Sequence, residues 1–213
     1  KFIGDAVMAV FGTPFASSAD ADNAMKAAIG MQRALSHFNA RQAAAGKPCF
    51  EVRIGINSGD VVAGNIGSTR RMDYTVVGDG VNVAARLESA NKYLGTGILI
   101  SAATRAQLRD YYRLREIDVL RVSGKHEPVA VFEVRGHGDE PRPAHELELL
   151  DVYARGLAAY RARSWSAAAA HFERVLAIDA KDQPARLLLA RITQFQRREP
   201  PPDWDGVWNM SGK

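Results

Sequence analysis

A single cysteine, Cys49, stands in 213 residues. One thiol cannot close an internal disulfide or build a cysteine-ligated zinc site, so both kinds of small scaffold are excluded. Its expected use is packing, and a reducing compartment is favoured. No run approaches the roughly 18–20 uninterrupted apolar residues that a membrane helix needs, and no charged-then-apolar signal pattern opens the sequence. Charge of one sign is lacking too: 28 basic residues against 24 acidic ones leave +4, scattered instead of gathered into the Lys/Arg blocks of a nucleic-acid-binding arm. No nucleic-acid partner is expected, and the small excess suits a polyanionic small ligand. What is present is a globular mix, 46% hydrophobic and 24% charged, enough for one ordinary domain plus a remainder of roughly 60–80 residues. The sequence starts at Lys1 without a methionine and runs straight into a strand-like pattern, which reads as a piece of a longer chain.

Residues 1–11, Lys1-Phe2-Ile3-Gly4-Asp5-Ala6-Val7-Met8-Ala9-Val10-Phe11, read as two short strands joined at Gly4-Asp5, because residues of good strand propensity flank a pair suited to a tight turn. Gly12-Thr13-Pro14 breaks the pattern. From about Asp20 to Ala45 the positions Ala24, Met25, Ala28, Met31, Leu35 and Phe38 recur at three- and four-residue steps, which predicts an amphipathic helix. Residues 50–56 alternate like a strand, Asn57-Ser58-Gly59-Asp60 is a turn, and Val61 to Ile66 is a second strand, which together read as a second hairpin. Asp73 to Val77 is another, stopped by Gly78-Asp79-Gly80, after which Val81, Val83, Ala84, Leu87 and Ala90 take helical spacing. Ile98-Leu99-Ile100 reads as a buried strand, Ser101 as the cap of a helix reaching about Tyr112, and Val129 to Val134 as a closing strand. Hairpins mixed with helices favour an α+β architecture, one mixed sheet with helices on one face, over a doubly wound parallel sheet.

Residues 136–146, with His137, Gly138, Pro141 and Pro143, have the composition of a linker. Beyond it, residues 147–198 divide into helices at about Leu147–Arg163, Trp165–Ile178 and Pro184–Gln196. Gly156, Ala168 and Phe172 have tetratricopeptide spacing, with Ala180 where that repeat usually has proline. One repeat has too little core to stand alone, so it is expected to dock on the first domain or on a partner. In the tail, 199–213, the prolines at 200–202 exclude a helix, and Trp204 and Trp208 carry more apolar area than a free tail exposes. Both are expected to pack.

Asp5 is a carboxylate at a hairpin tip, where it either satisfies turn amides or offers oxygen to a metal. Lys1 lies four residues before it. Asn82 and Arg86 share one face of the helix after Gly80, as either a solvated face or a phosphate-holding one. A carboxylate, a cation and an Asn–Arg face are what a triphosphate site uses, since Mg²⁺ takes carboxylate oxygens and Arg holds phosphate oxygens in a planar fork.

Residues 1–11, then Ile54-Gly55-Ile56-Asn57-Ser58-Gly59 with Gly64-Asn65-Ile66-Gly67, then Tyr74-Thr75-Val76-Val77-Gly78-Asp79-Gly80-Val81-Asn82-Val83-Ala84-Ala85-Arg86-Leu87-Glu88, resemble the class III nucleotidyl cyclase catalytic domain in order and spacing. The resemblance covers about residues 1–135. It implies an α+β fold, a ferredoxin-like mixed sheet with helices packed on it, followed here by a small all-α tetratricopeptide-like segment. It implies that Asp5 binds two catalytic ions, Mg²⁺ or Mn²⁺, with a second aspartate from an earlier strand that would lie upstream of Lys1. Lys1 and Thr75 match the adenine-selecting, bacterial-type purine pair, where a guanylyl enzyme usually shows Glu and Cys. Asn82 would orient the ribose and Arg86 would stabilise the reacting phosphate. A family lysine on the triphosphate falls at Ser123, a departure, and Lys125 two residues on is the candidate to replace it.

The activity so implied is adenylate cyclase, which converts ATP to 3′,5′-cyclic AMP and pyrophosphate by in-line attack of the ribose 3′-hydroxyl on the α-phosphorus. The family's site lies between two head-to-tail catalytic domains, so a homodimer is implied. The alternative is a catalytically inactive cyclase homology domain that dimerises and binds a protein through its tetratricopeptide-like part; guanylate cyclase is a third reading. The C-terminal repeat and the Pro-Pro-Asp-Trp-Asp-Gly-Val-Trp tail also resemble the ends of bacterial cyclases with N-terminal sensors and membrane helices. That implies a segment on the cytoplasmic side of a membrane-anchored parent, acting in intracellular signal transduction.

Overall fold

A computed structural model describes residues 1–68, 71–121 and 128–209 of the chain. Strands β1 (Phe2–Ile3) and β2 (Ala6–Val7) pair antiparallel, Phe2 opposite Val7 and Ile3 opposite Ala6. Gly4 makes the turn at φ +63°, a left-handed value that costs glycine nothing at the first central position of a tight hairpin. Helix α1 (Asp20–Ala44) leads to β3 (Ile54–Ile56), and β4 (Val62–Ser68) does not fold back on β3 as a hairpin but forms a separate two-stranded ribbon with β5 (Arg71–Val77). Helix α2 (Asp79–Leu94) then leads to β6 (Ile98–Ser101), the short α3 (Ala102–Arg105), β7 (Tyr112–Arg121) and β8 (Val129–His137). Helices α4 (Glu146–Arg161), α5 (Trp165–Ile178) and α6 (Gln183–Arg197) follow, and β9 (Trp208–Asn209) ends the described chain.

The main sheet runs β3-β6-β8-β7-β9. Strand β3 lies parallel to β6 and β9 parallel to β7, while β6–β8 and β7–β8 are antiparallel. All four residues of β6 are buried, and such a strand needs cover on both faces. Alternation sends Ile98, Ile100, Phe132 and Val134 to one face, where Met25, Ala28 and Ile29 of α1 cover them. Leu99 and Val131 go to the other, against Val83, Leu87, Ala90 and Leu94 of α2. Helices therefore occupy both faces, not the single face that the hairpin-rich sequence pattern suggests.

The face that holds α2 continues without a break into α4–α6: Leu149, Tyr153, Leu157, Tyr160, Phe172, Leu188 and Ile192 share one core cluster with Ile117 and Leu120 of β7. Polar ties cross the same contact. Tyr153 Oη donates to the Ile117 carbonyl at 3.1 Å, Arg115 pairs with Asp182, and Arg191 pairs with Asp118. Arg115 also donates to Glu133 at 2.8 Å and lies 4.5 Å from the Tyr153 ring centre. The helical segment thus docks on the sheet.

Four local expectations change. Residues 50–53 are not part of the sheet, because side-chain amides of α1 take their carbonyls: Gln32 Nε2 to Val52 O and Asn39 Nδ2 to Phe50 O, both 2.7 Å. The helix capped by Ser101 ends at Arg105; the amides of Ala106 to Leu108 close turns on Ala102, Thr104 and Arg105, and Asp22 takes those of Arg109 and Asp110 at 3.2 Å each. Tyr112 then opens a ten-residue strand. Cys49 is exposed, not packed. The tail, where the prolines excluded a helix and no strand was expected, supplies β9; Trp204 packs among aromatic rings, while the side chain of Trp208 lies outside the described set. Among the described residues no helix is long and apolar enough to cross a membrane.

Candidate active site

Three elements carry the candidate residues. The β1–β2 hairpin holds Asp5 at its exposed tip and Lys1 at its open end, where Met8 N donates to Lys1 O at 2.8 Å. Asp5 has no hydrogen bond or ion pair among the described residues, so its carboxylate is not used up by the turn amides. Lys1 Nζ reaches across to β5 and donates to Asp73 Oδ2 at 3.2 Å. Both partners are substantially exposed, 37% and 51%. The two-residue period of a strand puts Thr75 on the same face as Asp73, roughly 7 Å further along. Across the ladder Thr75 faces Gly64, where an added Cβ would meet nothing within 4 Å. Lys1, Asp73 and Thr75 therefore border open ground.

Helix α2 starts two residues after β5 and presents Val83 and Leu87 to the core, which leaves Asn82 exposed and Arg86 half-buried. Two contacts set where this helix begins and how close it lies. Asn57 Nδ2 in the turn after β3 donates to Gly80 O at 3.1 Å. Gly55 of β3 lies so near that an added Cβ would sit 2.2 Å from Ala84 O and 2.3 Å from Glu88 N, so strand backbone touches helix backbone on either side of Arg86.

Of the residues singled out from sequence, Lys1 and the strand of Thr75 are brought together, with Asp73 between them. Asp5 is held away at the other end of its hairpin, and Asn82 and Arg86 lie together on α2. No hydrogen bond or ion pair joins Asp5, Asn82 or Arg86 to one another among the described residues. Ser123 and Lys125 fall outside the described residues. Sequence reasoning missed Asp73, although strand alternation places it beside Thr75. Among the described residues no group of three or more His, Cys, Asp or Glu could hold a metal; the Asp5 carboxylate is a hard oxygen donor of the class that Mg²⁺ takes.

Comparison with known proteins points the same way as these motifs. The chain is 38% identical over 136 residues to adenylate cyclase 1 of Rhizobium meliloti, a match covering 64% of this chain and 20% of that protein. It is 42% identical over 142 residues to an adenylate cyclase of Anabaena cylindrica, 63% of this chain and 27% of that one. The chain thus spans about a fifth to a quarter of the length of these relatives. Among solved structures, the adenylyl cyclase CyaB from P. aeruginosa matches with a TM-score of 0.59 at 34% identity, over 67% of this chain and 73% of that one. The guanylyl cyclase Cya2 matches with 0.56 at 36% identity, over 65% and 70%. These matches support the mixed α+β cyclase fold and leave the choice of purine open. The family described as the adenylate and guanylate cyclase catalytic domain matches residues 1–134, and this chain belongs to it.

Proposed function

We propose that the chain is the catalytic part of an adenylate cyclase that converts ATP to 3′,5′-cyclic AMP and pyrophosphate at the interface of a homodimer. The observation that carries the choice of adenine is the Lys1–Asp73 contact, which keeps a lysine beside the strand of Thr75. A lysine ammonium donates and never accepts, so it suits the unprotonated N1 of adenine, while a threonine hydroxyl can accept from the exocyclic amine. Guanine presents N1–H and a carbonyl at those places and would leave a donor facing a donor.

In this reading Asn82 orients the ribose, and Arg86 offers its planar fork to the α-phosphate, where charge builds during displacement. Lys125 contributes a cation to the triphosphate. Asp5 would hold Mg²⁺ or Mn²⁺, two ions per site, with further ligands from outside the described residues; bound there, the ions would acidify the 3′-hydroxyl and neutralise the leaving pyrophosphate. Helices α4–α6 are proposed to be tetratricopeptide-like and open to a protein partner, supported by Gly156, whose added Cβ would crowd Phe172 at 3.0 Å, and by buried Ala168 at the helix crossing. The parent protein is proposed to keep this segment on the cytoplasmic side of a membrane.

The test is metal-dependent turnover of ATP and GTP by the full-length natural protein. ATP should be the substrate, Asp5→Ala should abolish turnover, and Lys1→Glu with Thr75→Cys should shift use toward GTP. Turnover that survives Asp5→Ala rejects the metal role. A folded, dimeric wild type with no turnover favours the inactive homology domain.

A further inference from the structure

Asn82 and Arg86 make no hydrogen bond or ion pair among the described residues, so the backbone of α2 decides where they stand. That backbone is tied over most of its length to β3 and the turn after it. Gly80, Ala84, Glu88 and Asn91 recur at three- and four-residue steps and form one stripe of the helix. At its start Asn57 Nδ2 donates to Gly80 O at 3.1 Å. In its middle Gly55 lies against Ala84 O and Glu88 N. At its end Asn91 Nδ2 donates to Ile54 O at 2.9 Å.

The two kinds of contact act differently. A glycine surface lets helix and strand approach, but it has no side chain to stop the helix from sliding along the strand or turning about its own axis. The asparagines supply that stop, because each amide donates to one carbonyl and a hydrogen bond weakens steeply as it bends. They are also reciprocal: Asn57 reaches from the turn to the helix, and Asn91 from the helix to the strand. Both are held in place themselves. Asn91 is fully buried, donates to Leu87 O at 2.9 Å and accepts from Thr96 Oγ1 at 2.7 Å. Next to Asn57, Ser58 Oγ donates to the buried Thr104 Oγ1 at 3.2 Å, and Thr104 donates to Ile56 O at 3.4 Å. The turn that carries Asn57 is thereby pinned to α3.

We propose that Asn57 and Asn91 are positioning residues, a pair of amide clamps at the two ends of the stripe that hold α2 in one register on β3 and so aim Asn82 and Arg86. The proposal rests on the cyclase reading for what those two side chains do, and the asparagines act through the helix without touching the nucleotide. A helix free to slip by a fraction of an ångström still offers Arg86 to the phosphates, but out of the alignment that the transition state needs. Loss of a clamp therefore falls on kcat.

The experiment measures kcat and KM for ATP on the full-length protein, with amide hydrogen exchange at residues 83–86 as a readout of the helix itself. Asn57→Ala should lower kcat about tenfold, the order of a misaligned transition-state contact, and change KM by less than about twofold. Exchange at 83–86 should quicken. Asn57→Leu keeps the bulk without the donor and should match Asn57→Ala, whereas a side chain that only fills space would leave it like the wild type. In an Arg86→Ala background Asn57→Ala should cost kcat about threefold or less. Asn91→Ala should lower kcat in the same way; if it fails to fold by circular dichroism, the two Asn57 variants decide. Unchanged turnover in both Asn57 variants overturns the proposal, as do a loss that multiplies in full with Arg86→Ala and a KM that rises as much as kcat falls. If the wild type turns over neither ATP nor GTP, the cyclase reading fails, and exchange at 83–86 still decides the clamps: unchanged exchange overturns them.

Discussion

The β1–β2 hairpin leaves Phe2 81% and Val7 57% exposed, whereas Tyr153, Tyr160 and Phe172, which join the helical layer to the sheet, are sealed at 1% or less. The hairpin and the β4–β5 ribbon hold Asp5, Lys1 and Thr75; the helical layer holds none of the candidate site residues. The part of the candidate site on the hairpin and ribbon is thus apart from the packed core, while Asn82 and Arg86 ride on α2, which belongs to that core. Apolar burial and buried ion pairs hold the β7 side of the sheet, and two-stranded ribbons outside that sheet present Asp5, Lys1 and Thr75. Strands with few buried contacts open at lower cost than the core does, which suits the nucleotide and second subunit of the proposed function.

Four measurements would sharpen or break this contrast. Phe172→Ala empties the middle of the core cluster and should lower unfolding free energy by about 3–5 kcal/mol in urea titration. A loss below about 1 kcal/mol would mean that the helices are not part of the sheet's core. Arg191→Met strands the Asp118 carboxylate, which burial pushes up and Arg191 pulls down; it should cost about 3 kcal/mol, and adding Asp118→Leu should recover most of that. Burial raises the Tyr160 phenol from 10.0 to about 12. The folded state then keeps a proton that the unfolded chain has lost, so its contribution is complete below pH 10 and disappears as pH rises through 12. Alkaline melts should show the thermal midpoint falling in that window, with the fall reduced in Tyr160→Phe. Smallest of all, Asp5→Ala should shift stability by less than about 0.5 kcal/mol while removing turnover. A large loss of stability would mean that the carboxylate serves the turn after all.

Local chemistry made some elements readable in advance. The Gly4-Asp5 turn between β-branched and aromatic residues predicts the first hairpin, and apolar spacing from Trp165 to Ile178 matches α5 end to end. Strand β7 was hidden because Ser101 does cap a helix and the residues after it can continue one; after Arg105 the chain turns instead, and Asp22, eighty-seven positions away in sequence, holds Arg109 N ahead of the strand. Strand β9 was hidden for the same kind of reason, since two residues have no period and their pairing with β7 is long-range. Within the site, Asp5, Thr75, Asn82 and Arg86 fall on the expected tip, strand and helix. The partner of Lys1 was not visible, because no spacing rule links residue 1 to residue 73.

Gly55 has a consequence for how this protein can vary. Where most helices rest on a sheet through side chains that can be exchanged for others of similar bulk, α2 rests on β3 through main-chain atoms at Ala84 and Glu88. While position 55 stays glycine, the spacing there is set by main-chain contact, which exchanges of other side chains do not tune. Core residues around it can drift, and Arg86 will still be delivered at the same height above the sheet. Any side chain at position 55, even a methyl group, would lift the helix like a shim under a ruler and move Asn82 and Arg86 together.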